Sequence, residues 1–537
     1  MPVLTPLALH GQASRRKFAF LVTTTGWAKG IRSSLGSAGY SYFFAYEALV
    51  PVLERFGTCR LVERPESRLA WLADQARAQG FEPIHLAINP PQETYLTPAV
   101  PTIVYPFWEF PSIPDRDFGL DSRQNWARIL GKADAIAVAC GFTAQALRRD
   151  DLPKTLAVVP VPLNSAWFAL PDWSPDWTWN YVGRHEVWTN ADESEPADEP
   201  FATLMPRNGG PLRRLFGRVA SRLSPQTLQR IYQWKHRLVP GKGESLGSKW
   251  YGNLRLAYLA YVRRWLSDDA VGLVTRAKRR ALRTLRIPEK ISVLPGLAVG
   301  PLALEGLVYT TIFNVGDHRK NAREILSAFL MAFQDRGDVT LVVKLVTNPA
   351  REHHEVGLLR EQYRSLGIYH FCKIVVLTEY LTDEQMFELF RATTYYVNHS
   401  FAEGACLPLQ QALAGGRPAL APDHSAMSDY VDDQVAFVTR SSPEPIHWPH
   451  DPEQRIETYR FRPLWADLRR HFVVSAEVAE YDRSRYRTMA GEARRRMEAY
   501  AGEEVVADAL ARLLDLLPIH QPASFDWPTA APQRLGA

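Results

Sequence analysis

Cysteine is scarce: four in 537 residues (Cys59, Cys140, Cys372 and Cys406), far apart and with no CxxC pair. That argues against a disulfide framework and a cysteine zinc site, and it fits a reducing compartment. Long uninterrupted apolar runs are also missing. The longest apolar stretch, 291–313, is broken by Pro295, Pro301, three glycines and Glu305, so it reads as a loop feeding a buried strand and not as a membrane span. The first residues, MPVLTPLALHGQASRRK, put their charges after the apolar stretch and carry two prolines, unlike a secretory signal. HExxH, GxxxxGK[ST] and a GxSxG on a nucleophile turn are all absent, as is any repeat of fixed period. The expectation is a cytoplasmic protein.

What is present is ordinary for a globular chain: 46% hydrophobic and 23% charged residues. Wholesale disorder, collagen and coiled coil are excluded, and the length suggests about three domains. The net charge of +5 is uneven. Residues 203–290 hold 20 Lys/Arg against 4 Asp/Glu, so this segment carries +16 and the remainder −11. Within it Leu212, Leu215, Phe216, Val219 and Leu223 share one helical face flanked by arginines. A solvated helical insertion, an anionic membrane surface and a nucleic-acid patch are the three readings. No recognition module accompanies the charge, so nucleic acid is not expected as a partner.

Short apolar runs alternate with helical patterns at both ends of the chain, which argues for parallel sheets covered on both faces. The first series has strands at 18–22, 59–62, 84–88, 102–105, 135–138 and 156–159. The second has strands at 307–313, 339–345, 374–377, 395–397, 419–421 and 436–438, with a capping box at Thr382–Gln385. Between them, 167–200 is rich in Trp, Pro and acid and reads as an irregular loop. The expected organisation is an α/β protein of two Rossmann-like domains facing across a cleft. Its parts are an N-terminal domain (1–165), an irregular acidic loop with a basic helical insertion (166–300), a C-terminal domain (301–475), a helical region crossing back (476–517) and a tail (518–537).

Two stretches of the second series carry chemistry. In NHSFAEGACLPLQQALAGGRP, residues 398–418, a strand ends in a loop bearing Glu403 and Gly404. A helix then starts around Ala405, Cys406 and Leu407 with free backbone N–H groups, which favours a diphosphate. Gln411, eight residues after Glu403, reads as two helical turns along the same face. In NVGDHRKN, residues 314–321, Arg319 and Lys320 are adjacent cations at a helix start. Lys344 stands inside the apolar run TLVVKLV, where an anion at the strand's end would pair it.

The segments YTTIFNVGDHRKNAREILSAF, TLVVKLV, LTDEQMFELF and NHSFAEGACLPLQQALAGGRPALAPDHSAMSDYV resemble the donor-binding domain of retaining glycosyltransferases of family 4, the glycosyl transferases of group 1, with the GT-B fold. The resemblance is specific over about 305–440, looser over 15–165, where it rests on element order and YPFWEFPSIPD, and does not cover 165–300. It implies transfer of a sugar from a nucleotide diphosphate sugar to an acceptor hydroxyl, with retention at the anomeric carbon and no obligatory metal or other cofactor. The family's Glu-x7-Glu motif maps onto Glu403 for the sugar and Gln411 for the ribose, where an amide replaces a carboxylate. The diphosphate lysine maps onto Lys320. The usual arginine falls on Val315, and Arg319 is its substitute here. A family histidine of the N-terminal domain maps onto Trp108-Glu109, the acceptor side, and Gly26 and Gly30 resemble the glycines near the donor phosphates.

The acceptor implied by family context is a lipid-linked or growing polysaccharide, at a site peripheral to the inner face of a membrane if 203–290 docks there. Asp115-Arg116-Asp117 matches the Asp-x-Asp of metal-dependent transferases of another fold but lies among prolines, as a chance match would. Two alternatives stand: an inactive relative that binds a nucleotide sugar or scaffolds polysaccharide assembly, and a nucleic-acid binder using the basic segment.

Overall fold

In the computed structural model of the chain, residues 16–25, 39–117, 121–149, 152, 155–189, 298–449, 451 and 453–517 are described. The basic insertion, with its stripe from Leu212 to Leu223, and the tail from 518 lie outside these residues, as do Gly26 and Gly30.

The first domain is a six-stranded sheet. Its strands are β1 (Phe18–Thr24), β2 (Gly57–Leu61), β3 (Glu82–Ile88), β4 (Thr102–Val104), β5 (Ala135–Val138) and β6 (Thr155–Val158), in the order β2-β1-β3-β4-β5-β6. Every pairing is parallel. Helices α1 (Tyr40–Glu54), α2 (Pro65–Ala78), α3 (Trp126–Leu130) and α4 (Gly141–Arg149) fill four of the five crossovers, and a 3-10 turn, Pro91–Glu93, stands between β3 and β4. β1 is buried along its whole length, as a strand covered on both faces must be.

After a short helix α5 (Ser165–Phe168), the chain forms β7 (Trp179–Trp188) and then β8 (Ala298–Leu304). The irregular loop expected over 167–200 is therefore corrected where the residues are described. β7 pairs antiparallel with β8. Its period is masked in the sequence by Gly183 and by the acidic stretch that follows, yet Trp179, Tyr181, Gly183 and His185 alternate inward.

The second domain continues with β9 (Leu307–Phe313), α6 (Ala322–Phe333), β10 (Val339–Leu345), α7 (Glu352–Arg364), β11 (Lys373–Leu377), α8 (Asp383–Ala392), β12 (Tyr395–Val397), α9 (Leu407–Ala414), β13 (Ala419–Ala421) and β14 (Ala436–Val438). The sheet order is β14-β13-β12-β9-β10-β11-β7-β8. β14 through β11 are parallel, and β7 joins β11 antiparallel. The strand order reverses between β9 and β12. In a doubly wound sheet the crevice at the carboxyl ends of those two strands is where a ligand binds. The architecture is the pair of Rossmann-like domains of a GT-B fold.

A hairpin missed in the sequence, β15 (Ser441–His447) with β16 (Glu457–Pro463), follows β14. Pro443 and Pro445 disguise β15, since a proline cannot donate to a ladder and is tolerated in an edge strand. The loop of this hairpin buries Trp448 and Ile456 among Trp108, Phe110 and Trp126 of the first domain. Trp448 lies 5.5 Å from Trp108, ring to ring, and Ser112 Oγ meets Thr458 Oγ1 at 2.9 Å. Trp448→Ala is expected to cost about 3–5 kcal/mol of stability, read as a fall in the denaturation midpoint.

Three helices close the described chain: α10 (Trp465–Tyr481), α11 (Arg483–Ala501) and α12 (Glu503–Asp515). Leu468 and Phe472 of α10 pack into the second domain's core, whereas Val506, Leu510, Leu513 and Leu514 of α12 pack into the first. Helical spacing puts these four α12 residues on one face. The two domains are thus joined through α11, α12 and the hairpin.

Candidate active site

Two loops meet at the reversal point. The loop after β9 turns at Asn314, whose Oδ1 accepts the Gly316 N–H at 2.8 Å, and enters a short 3-10 turn, His318–Lys320. Asp317 caps that turn, and Asn321 then takes a left-handed conformation (φ 54°) to start α6. The loop after β12 runs from Asn398 to Cys406, itself left-handed (φ 60°), before α9 begins with Pro408 in its first turn. Ser425, beside Glu403, is left-handed too (φ 51°). Three non-glycine residues in this sparsely populated region converge on one site, a cost that surrounding structure must hold in place.

Lys320 and Glu403 are brought together: Lys320 Nζ donates to Glu403 Oε1 at 2.6 Å. The Glu403 side chain is 5% exposed and that of Lys320 20%. Asn398 Nδ2 also donates to Glu403 Oε1 at 3.2 Å, and the Glu403 N–H donates to Ser425 Oγ at 3.0 Å. Burial alone would raise the Glu403 carboxyl, but the Lys320 and Arg319 cations bring it below its ordinary value. Burial likewise opposes the charge on Lys320, and the Glu403 carboxylate outweighs it, so the ammonium is held above its ordinary value.

Arg319 bridges the domains. Its Nη1 lies 2.7 Å from Glu109 Oε1 of the first domain, and its Nη2 and Nε donate to Asp317 at 2.8 and 3.1 Å. Nη1 also donates to Ala402 O at 3.2 Å, and the Phe401 N–H donates to Arg319 O at 2.9 Å, so the two loops are stitched together. Asp317 is a site residue that sequence reasoning missed. Its signal was its place two residues before an arginine at a helix start, where a carboxylate both caps and chelates.

Gly404 is pressed against the first domain: a Cβ there would meet Trp108 N at 3.2 Å and Phe107 Cβ at 3.4 Å. The Trp108 ring is 4% exposed inside an aromatic cluster and its Nε1 donates to Ser112 O at 2.9 Å. Its backbone borders the site, but its ring is core and is not offered to an acceptor, which corrects that expectation. Ala405 is buried, and its carbonyl accepts from Gln410 Nε2 and Tyr430 OH. Leu407 opens α9. Gln411 sits on α9, yet its eight-residue spacing from Glu403 is not two helical turns, because the helix starts only at Leu407 after the left-handed Cys406. Val315, where the family's arginine would stand, is 5% exposed in the second domain's core.

Lys344 is the last residue but one of β10, in different company. Its Nζ donates to Leu345 O at 2.6 Å, and burial lowers it to about 8 against the pull of Glu352 and Glu379. A lysine lowered from 10.5 to about 8 sheds its proton more readily folded than unfolded. Stability therefore rises with pH between those values. Lys344→Met is expected to remove a rise on the order of 3 kcal/mol across that window, read from paired melting curves.

His85 is satisfied at both nitrogens, Nε2 by Thr23 Oγ1 at 2.9 Å and Nδ1 by Thr102 Oγ1 at 3.2 Å, and burial lowers it to about 4. It is structural. His399 Nε2 meets Glu324 Oε2 at 3.1 Å. A cavity of about 60 Å³ beside Lys320, lined in part by Asn398, His399, Ser400 and Cys406, has room for a few waters. Among the described residues no group of three or more His, Cys, Asp or Glu side chains could hold a metal ion. Asp115 and Asp117 are exposed and paired with Arg116 and Arg128. Nor, among those residues, is any helix long and apolar enough to cross a membrane.

No protein-family model matches the chain, and no curated protein matches it. Among solved structures it is similar to a glycosyltransferase from Rickettsia africae (9% identity, 93% of this chain and 97% of that one, TM-score 0.44). It is also similar to a sucrose-phosphate synthase from Thermosynechococcus elongatus (12%, 93% and 98%, TM-score 0.47) and to a pneumococcal O-GlcNAc transferase solved with UDP and GlcNAc (11%, 83% and 59%, TM-score 0.40). All three lie below a TM-score of 0.5, so the fold assignment stands on the strand order and the functional reading on the site.

Proposed function

We propose that the chain is a glycosyltransferase that moves a sugar from a nucleoside diphosphate sugar to an acceptor hydroxyl. The observation that carries this reading is the Lys320–Glu403 pair at the strand-order reversal, next to the start of α9. The diphosphate would sit against Lys320 and the Gly404–Leu407 backbone that leads into α9, with Arg319 alongside; in the first turn of α9 itself Pro408 has no N–H and the Leu409 and Gln410 N–H groups donate to Cys406 O. The two cations and that backbone take up the charge that develops as the glycosidic bond to phosphate breaks, so no metal is required for that task. Glu403 then exchanges its bond to Lys320 for the sugar hydroxyls and orients the anomeric carbon. Glu109 faces the reaction from the first domain, which would hold the acceptor. Retention at the anomeric carbon, a lipid-linked or polysaccharide acceptor and a membrane-peripheral setting through 203–290 belong to the same proposal and rest on the resemblance.

A second reading has its own observation. Both cations already have carboxylate partners, Lys320 in Glu403 and Arg319 in Glu109 and Asp317. That arrangement, with Gln411 and Val315, suits an inactive relative that binds a nucleotide sugar or scaffolds an assembly. Release of nucleoside diphosphate from a panel of nucleotide sugars separates the two. The enzyme reading expects release from at least one donor, abolished in Glu403→Ala. Binding without release from any donor, with acceptor fractions added, would favour the scaffold.

A further inference from the structure

A second, larger cavity, about 350 Å³, opens at the carboxyl ends of β10 and β11. It lies within the size range of small-molecule sites. β10 and β11 are the first and second neighbours of β9, whose loop carries Lys320. At ~4.8 Å per strand the cavity begins within about 10 Å of that loop, the reach of one nucleoside. One wall is β7, a strand outside the stretches that resemble glycosyltransferases, which contributes Val182 and Arg184.

Two carboxylates line this cavity, and they differ in what they already hold. Glu352 is engaged: it accepts from Arg184 Nη1 at 2.7 Å and from Thr378 Oγ1. Among the described residues Glu379 accepts long hydrogen bonds through Oε2, from the Arg184 N–H at 3.3 Å and Tyr181 OH at 3.5 Å, and it also attracts the Lys344 ammonium. Val182, two-thirds exposed at the mouth, offers an apolar surface to a flat ring. We propose that this cavity is the base subsite of the donor and that Glu379 selects guanine, so the donor is a guanosine diphosphate sugar. This rests on the donor-site reading above. Guanine presents two adjacent N–H donors, N1–H and N2–H, which a carboxylate accepts side by side. Uracil presents one N–H between two carbonyl oxygens that a carboxylate repels, and adenine presents its amino group beside a bare nitrogen.

Calorimetric titration of GDP, UDP and ADP into the full-length chain and into Glu379→Gln tests it. GDP is expected to bind ~10-fold more tightly than UDP or ADP, and Glu379→Gln to weaken GDP ~10-fold while leaving UDP within about twofold, in line with a two-bond base contact. UDP or ADP binding as tightly as GDP to the unaltered chain overturns the proposal, whether or not the variant folds, as does unchanged GDP affinity in a folded variant. If UDP or ADP is preferred and its binding disappears in a folded Lys320→Met, Glu403→Gln double variant, guanine selection fails while the donor site stands. If no diphosphate binds, both fail.

Discussion

Glu403→Gln is expected to lower kcat for sugar transfer by about 10²–10³ in a chain that still folds but melts lower, since Lys320 loses its carboxylate partner. The substitution keeps the side chain's volume and still accepts hydrogen bonds from Lys320 Nζ and Asn398 Nδ2, which now lie 2.6 and 3.2 Å from Oε1. What it removes is the charge. In the proposed reaction that charge holds the sugar hydroxyls while the glycosidic bond breaks and positive charge builds at the anomeric carbon. The loss should appear in kcat with KM for the donor little changed, because the diphosphate's own contacts with Lys320 and α9 are kept. A KM effect alone would move Glu403 from the reaction to ground-state binding.

Lys320→Ala is expected to be the more damaging change to stability. It strands Glu403, almost wholly buried, without its cation, and breaking a buried pair from one side costs about 3–5 kcal/mol. The effect has a pH signature. In the native chain the Glu403 carboxyl lies below its ordinary value of 4.5, so the pair contributes stability above that pH and loses it as pH falls through the lowered value. Without Lys320 the stranded carboxylate is relieved by protonation instead. The gap in melting temperature between the native chain and Lys320→Ala should therefore narrow on acidification below about 4.5. Replacing both partners, Lys320→Met with Glu403→Gln, should restore much of the melting temperature, since a neutral pair carries no stranded charge.

Continuous apolar strands announce themselves, and for that reason β9, β10, β12, β13 and β14 lie where the sequence pattern puts their bounds. That Lys320, Arg319 and Glu403 lie on neighbouring loops is legible because a strand, a polar loop and a helix start follow one another in order. β7 and the β15–β16 hairpin are not. Their alternation is interrupted by Gly183 in one case and by Pro443 and Pro445 in the other, and the partners of β7 are distant in the chain. The Arg319–Glu109 contact spans the two domains, so no local pattern reveals it. Trp108 shows the opposite error. A tryptophan beside a carboxylate at a strand's end looks like a binding surface, but the hairpin's Trp448 packs against its ring, and only its backbone meets the site.

Both expectations rest on a nucleoside diphosphate binding at the start of α9, beside Lys320 and Glu403. Calorimetric titration of nucleoside diphosphates into the unaltered chain and into the Lys320→Met, Glu403→Gln double variant tests it most directly, because the double variant separates ligand binding from folding. At least one diphosphate is expected to bind the unaltered chain, with an affinity that falls by about 10²-fold or more in a double variant of near-native melting temperature. Equal binding by both proteins, or no binding by the unaltered chain at millimolar ligand, would contradict it.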